Sequence, residues 1–559
     1  MAATLWDHLG KSYRRPLGDS EYSYFPASQN NGVGDMFLHL AFRAPAELLQ
    51  HDRVATAWAV IRSRHPLLMS SVVLDQSLPN VAFFEFTPPE TVEDAISEAK
   101  TALVFTNKSE QELISDYMNG PRTLSNDHLS YLIISIPSGD VESAAQATLQ
   151  YDLLMCAPHF VGDGSSLHQC THELFALLAS PLSNAQISEE LLNSHASWND
   201  VLPPALESRL PVNQRRFAKA AAQVNYAQTL RKEIGGHVFS RTQRAAQRTV
   251  SVEMMFDEAE TASILRNCKA QSVTVNHALF VLCNFAWSRS INLGIVQNGT
   301  DKPDDSSILP TMMYTAINLR PYLSPHPAST YWFLALTYFN IVLPSFLPQQ
   351  PQNVLISENG NDNSGTSSNN NNSNDISSIV FWHRARSVKA QTRKTVQSPF
   401  LTARALESAR TRASRVRGIT VSVPGANVIE KDLRTKSQAV VIDSENSSRN
   451  HDDGRSSPQV PPSPITATTR MDPAPSLALM GLSLIGNLDS TYLRDAYPSI
   501  QLVSVRTASR QKSGGLLLLE HTFGKKLWLQ MFWDENGFKE GQVEVFWERL
   551  KDAVYEFLV

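Results

Sequence analysis

The residues best equipped for chemistry in this 559-residue chain are His159-Phe160-Val161-Gly162-Asp163-Gly164. A histidine whose unperturbed pKa lies at about 6.5 can take a proton from a hydroxyl near neutral pH. Asp163 follows four residues later, behind the turn, where it is better placed to brace the loop against a cation than to orient the imidazole. Gly162 and Gly164 are expected to supply the backbone freedom of a tight turn. A lone histidine at a strand end is most often only a polar residue, and HxxxDG recurs by chance. The motif gains its meaning from its surroundings.

Other chemistries find less support. There is no GxSxG elbow, since Gly162-Asp163-Gly164-Ser165-Ser166 does not fit one. His168 and His172 stand four apart with Cys170 between them, a spacing that could hold zinc, but no third ligand presents itself. They read as exposed helix-face histidines. Neither GxGxxG nor GxxxxGK[ST] occurs, so a nucleotide cofactor is unsupported, and with no third ligand beside His168 and His172 no metal is expected. The arginine-rich stretch 403–417 reads either as a phosphate clamp or as a solvated helix face, the second being the commoner use of such a run.

The elements that would position the loop are legible from periodicity. Thr148 to Ala157 reads as a largely buried strand delivering His159 to a sheet rim, and Ser165 to Ser180 as an amphipathic helix after it. Val54 to Leu68, Phe256 to Cys268, Val275 to Ser288 and Gln542 to Phe557 read as helices. Met312 to Leu319, Ile500 to Thr507, Gly515 to His521 and Leu527 to Trp533 read as strands, the last two forming a hairpin across Thr522 to Lys526. Mixed helices and strands predict a layered α/β protein.

Composition bounds the rest. With 42% apolar and 18% charged residues and a net charge of −5, the chain buries real cores and gives no support to a nucleic-acid partner. Four cysteines form neither a disulfide framework nor a CxxC metal pattern. The N-terminus lacks a signal-peptide h-region, and the apolar run Tyr331 to Pro348, interrupted by Asn340, Pro344 and Pro348, reads as buried core. A cytoplasmic protein without a membrane span is expected. Two polar tracts, 359–378 with eight Asn and six Ser, and 443–475 with six Pro, are expected to be disordered inserts.

With these pieces in order, the sequence resembles the CoA-dependent acyltransferase superfamily, which includes plant BAHD enzymes, carnitine and chloramphenicol acyltransferases and condensation domains. The resemblance rests on the HxxxDG loop, on Arg64-His65-Pro66-Leu67-Leu68 ending the first long helix, and on Ser272-Val273-Thr274-Val275 opening a second lobe. It also rests on Thr315-Ala316-Ile317-Asn318-Leu319-Arg320-Pro321 and Ser483-Leu484-Ile485-Gly486. Within the superfamily, YRRPLGDSEYSYF near the start and LWLQMFWDENGF near the end are most similar to fungal trichothecene O-acetyltransferase-like proteins. Pro158 replaces the first histidine of HHxxxDG, which favours a free-standing alcohol acyltransferase, and DFGWG is absent, which argues against the plant group.

The resemblance implies a two-lobed, chloramphenicol-acetyltransferase-like α/β sandwich with a tunnel between the lobes. It places an N-terminal lobe at 1–190, a crossover at 191–250 and a C-terminal lobe at 251–559, interrupted by the two inserts. It implies His159 as general base, Asp163, Gly164 and Arg320 as structural supports, and Ser483 and Asn318 as tunnel or oxyanion candidates. Acyl-CoA, with acetyl-CoA foremost, would be a co-substrate, a small-molecule alcohol of secondary metabolism the acceptor, and the monomer the working form. The alternatives are a non-catalytic binding protein of the same fold and an enzyme drawing its acyl group from a carrier protein.

Overall fold

The computed structural model of the chain describes residues 5–78, 80–136, 148–193, 198–292, 294, 309–324, 330–345, 369–419 and 476–559. Strands Asp35–Pro45 and Thr148–Pro158 pair antiparallel along their whole length, Asp35 opposite Pro158 and Pro45 opposite Thr148. Tyr131–Ser135 and Leu103–Thr106 extend the sheet on one side. Alternation sends the two faces of this sheet to different partners. Met36, Leu38, Leu40 and Phe42 pack with Trp58 of helix His51–Arg64 and with Leu167, Leu174 and Phe175 of helix Gly164–Leu178. Phe37, from the opposite face, joins Leu154 and Cys156 against Leu519 and Phe532 of a second sheet.

That second sheet runs in the order Thr249–Phe256, Lys526–Asp534, Leu516–Phe523, Ser476–Asn487, Thr311–Asn318, Leu336–Leu343. The expected hairpin is present: Phe523 pairs with Lys526 across Gly524 and Lys525, both with positive φ (62° and 61°), the turn that matches strand twist. Helices Val275–Asn292 and Gln542–Phe557 pack against one another on the sheet and bury Phe285, Trp287, Phe546 and Trp547. The apolar run after Tyr331 supplies Trp332, Phe333, Leu334 and Ala335, all buried, before the outer strand Leu336–Leu343. This edge is guarded by Gln391, whose amide accepts from the Val342 N–H (3.1 Å) and donates to the Val342 carbonyl (2.9 Å).

Two expectations need correction. Gln501–Ser509, counted with the C-terminal lobe by its place in the chain, is the edge strand of the first sheet, antiparallel to Asp35–Pro45. Strand pairing is a long-range choice, made by the open edge of Asp35–Pro45 rather than by any local signal. The tract 359–378, expected to be disordered throughout, is helical from Asn369, the start of helix Asn369–Val396. Phe381, Ala385 and Val388 bury that helix further on, and extending a nucleated helix backwards through Asn and Ser costs little per residue. Residues 359–368 and 443–475 lie outside the described residues.

The lobes also meet through polar groups. Arg506 pairs with Glu110 of the first lobe and with Glu253 of the second sheet. The four cysteines are buried, unpaired thiols. Among the described residues no helix is long and apolar enough to cross a membrane.

Candidate active site

Strand Thr148–Pro158 ends one residue before His159, whose N–H donates to the Gly34 carbonyl (3.1 Å) as the last rung toward Asp35–Pro45. The imidazole Nδ1 lies 3.0 Å from the Gly162 carbonyl. A carbonyl only accepts, so Nδ1 carries the proton and the neutral ring presents an unprotonated Nε2. Burial pushes the His159 pKa down, which keeps the ring neutral.

Gly162 and Gly164 act differently from the expected pair of turn glycines: neither has positive φ. A Cβ on Gly162 would stand 3.0 Å from the Trp332 indole nitrogen, so any side chain here presses on the buried indole. Around Gly164, the first residue of helix Gly164–Leu178, the space is open. Asp163 provides the helix cap, its carboxylate accepting from the Ser166 N–H at 3.2 Å.

Asp163 is 1% exposed and takes a second task. Arg320 Nη1 reaches both its oxygens at 3.1 and 2.8 Å, and the Ala335 N–H donates to it at 3.2 Å. Arg320 Nη2 donates to Ser166 Oγ (2.8 Å) and to the Tyr331 and Phe333 carbonyls (3.1 and 2.9 Å). One guanidinium thus fastens the histidine loop to the segment that precedes the outer strand of the second sheet. His65 grips the same segment from the other side, Nδ1 lying 2.8 Å from Thr330 Oγ1 and the ring 4.3 Å from that of Tyr331.

Of the two remaining candidates, Asn318 belongs to this knot. Asn318 accepts from the Arg320 N–H at 3.0 Å and braces the arginine from an exposed strand end. Ser483 sits on Ser476–Asn487 opposite Leu519, on the strand face it shares with Ile485, which packs toward the seam between lobes. His168 and His172 are not the exposed residues the sequence suggested. His168 is buried with its nitrogens 2.9 Å from Tyr492 Oη and 3.2 Å from Thr507 Oγ1, and His172 Nδ1 lies 3.2 Å from Tyr497 Oη. They pin the chain that leads into Gln501–Ser509, a role visible only once that strand is in place.

The stretch 403–417 falls in and just beyond helix Leu401–Val416, which buries Leu401, Ala405, Ala409 and Ala413. Two of its arginines make contacts within the fold: Arg417 pairs with Asp19 at 2.8 Å, and the Arg412 guanidinium lies 5.7 and 5.1 Å from the rings of Tyr24 and Tyr338. Tyr24 itself stacks on His159 with centroids 4.7 Å apart and planes at 19°. Reading the motif alone missed Tyr24, Trp332 and Tyr338; of these only Tyr24, inside YRRPLGDSEYSYF, lay in a stretch already marked by resemblance.

No protein-family model and no curated protein matches this chain. Solved structures do. TRI3 trichothecene 15-O-acetyltransferase from Fusarium sporotrichioides has a TM-score of 0.70 at 13% identity, covering 100% of this chain and 99% of that one. The condensation domain from the monacolin K polyketide synthase MokA has a TM-score of 0.55 at 10% identity, over 98% and 97% of the two chains. The first condensation domain of the CDA synthetase has 0.51 at 11% identity, over 97% and 96%. At these identities the likeness is one of fold. The chain therefore has the two-lobed, chloramphenicol-acetyltransferase-like α/β fold that the trichothecene acetyltransferase shares with condensation domains.

Proposed function

We propose that this protein is an acyltransferase that moves an acyl group, acetyl foremost, from acyl-CoA to a hydroxyl of a small-molecule acceptor of the secondary-metabolite class, acting as a monomer. The observation that carries the reading is the state of His159. Its Nδ1–H is committed to the Gly162 carbonyl, burial favours the neutral ring, and Nε2 is left as a base.

In this reading, His159 Nε2 removes the acceptor's hydroxyl proton as the oxygen attacks the thioester carbonyl. The tetrahedral oxyanion collapses with cleavage of the C–S bond, and the imidazolium returns its proton to the departing thiolate. Ser483 is assigned as the oxyanion's donor. No acyl-enzyme is needed, because holding both substrates together supplies much of the rate. Asp163 and Arg320 hold the loop rather than touch the reacting atoms.

Calorimetric titration with CoA and acetyl-CoA tests the donor without knowledge of the acceptor. Saturable one-to-one binding, unchanged in His159→Ala, supports it. No binding at millimolar CoA overturns the free-CoA reading and turns attention to a carrier-protein donor.

A further inference from the structure

We infer that Tyr24 is the positioning residue of the histidine base, and that the second lobe holds it in place. The inference rests on His159 being the base.

Segment 24–34 wraps the loop residue by residue. Tyr24 stacks on His159, while its neighbour Phe25 meets Phe160 edge-on at 5.4 Å and 89°. Helix Phe25–Asn31 then ends at Gly32 (φ 68°), and two residues later the Gly34 carbonyl accepts the His159 N–H. The imidazole is thus held by three contacts of different kinds. Its backbone is tied to Gly34, its Nδ1–H to Gly162, and its ring plane lies against a tyrosine face.

The Gly162 bond leaves the ring free to tilt about the Nδ1···O line, and a stacked face removes that freedom. Tyr24 is itself fixed from across the molecule. Its hydroxyl bonds the Tyr338 hydroxyl on the outer strand Leu336–Leu343, and the Arg412 guanidinium lies over both rings. Arg320 ties the loop to the residues just before that same strand. Base and buttress are therefore anchored to one element of the second lobe, and their relative placement follows it.

The stack also acts on charge. An aromatic face and the Asp163 carboxylate favour the imidazolium that forms as the proton is taken, against the burial and the Arg412 charge that favour the neutral ring. Tyr24→Phe gives up the Tyr338 bond but keeps the face and its Arg412 contact, and should stay within about threefold of wild type in kcat/KM. Tyr24→Leu should lower kcat/KM by roughly 10- to 100-fold, the cost of a displaced base, with donor KM little changed. It should also move the acidic limb of the pH profile down by about half a unit.

Turnover is not the only readout. The pH dependence of His159 modification by diethyl pyrocarbonate, followed at the peptide level by mass spectrometry, reads the imidazole in the absence of substrate. A lower midpoint in Tyr24→Leu than in wild type and Tyr24→Phe is expected. Identical midpoints in all three would overturn the inference. If His159→Ala retains full transfer, the proposed reaction fails, yet the modification midpoints still decide whether Tyr24 controls this ring. Tyr24→Met carries the same test should Tyr24→Leu not fold.

Discussion

Replacing Arg320 by alanine puts the tie between loop and second lobe to a quantitative test. The side chain forms hydrogen bonds to both Asp163 oxygens, to Ser166 Oγ and to two carbonyls. Asp163 is 1% exposed, so removing Arg320 leaves a buried carboxylate without its cation, a change that typically costs about 3–5 kcal/mol. Two features place this case at the low end. Arg320 keeps 20% of its side-chain surface in water, and Asp163 retains donors from Ser166 and Ala335. The expected loss is about 3 kcal/mol.

Asp163→Asn keeps a capping oxygen and leaves an arginine that still has four other acceptors, so about 1–2 kcal/mol is expected. The pair should then show a coupling of roughly 1–2 kcal/mol in a double-mutant cycle read by urea denaturation. Arg320→Ala as stable as wild type, or a coupling below about 0.5 kcal/mol, would refute the claim that this pair fastens the loop. His159→Ala serves as the contrast: it stays folded with a smaller loss of stability than Arg320→Ala, and its acyl transfer falls roughly 10²- to 10⁴-fold. Equal midpoints for all of these variants would contradict the division between base and brace.

Further predictions separate residues that the motif treats alike. Gly162→Ala should destabilise by about 1–3 kcal/mol in the same denaturation assay, because its Cβ meets the fully buried Trp332. Gly164→Ala, with open space and ordinary φ at the first helical position, should be neutral or stabilise by up to about 1 kcal/mol. Burial holds the His168 pKa at about 3, below the ordinary 6.5, so its contribution is present above pH 6.5 and is lost as pH falls toward 3. Relative to His168→Gln, wild type should therefore lose about 1.4 kcal/mol per pH unit between pH 6 and 4 in denaturation series, and parallel curves would count against it. Arg506→Ala removes partly exposed ion pairs to Glu110 and Glu253, so a loss of about 1 kcal/mol, shrinking with added salt, is expected from denaturation at two ionic strengths.

Much of the architecture was legible because it is written locally. Period-two and helical spacing located the strand before His159, the helix after it, the hairpin and the closing helix to within a few residues of Thr148–Pro158, Gly164–Leu178, Leu516–Asp534 and Gln542–Phe557. The loop could be singled out for the same reason, since its histidine, glycine and aspartate lie within six residues, and the chemistry proposed for it starts from those types and that spacing. The pairing of Asp163 with Arg320, 157 residues away, was accessible only through resemblance to a known layout.

Tertiary structure decided what depends on distant neighbours. Gly162 is crowded by Trp332 rather than by its own turn, and no local rule names the side chain that will press on a glycine. His168 and His172 changed from exposed to engaged because Tyr492 and Tyr497 arrive from more than 300 residues away. Gln501–Ser509 crossed to the first sheet because hydrogen-bonding edges choose partners by geometry rather than by order along the chain. Tyr24 came to lie on His159 for the same reason: residue type and spacing determine what a side chain can do, and long-range packing determines what it faces.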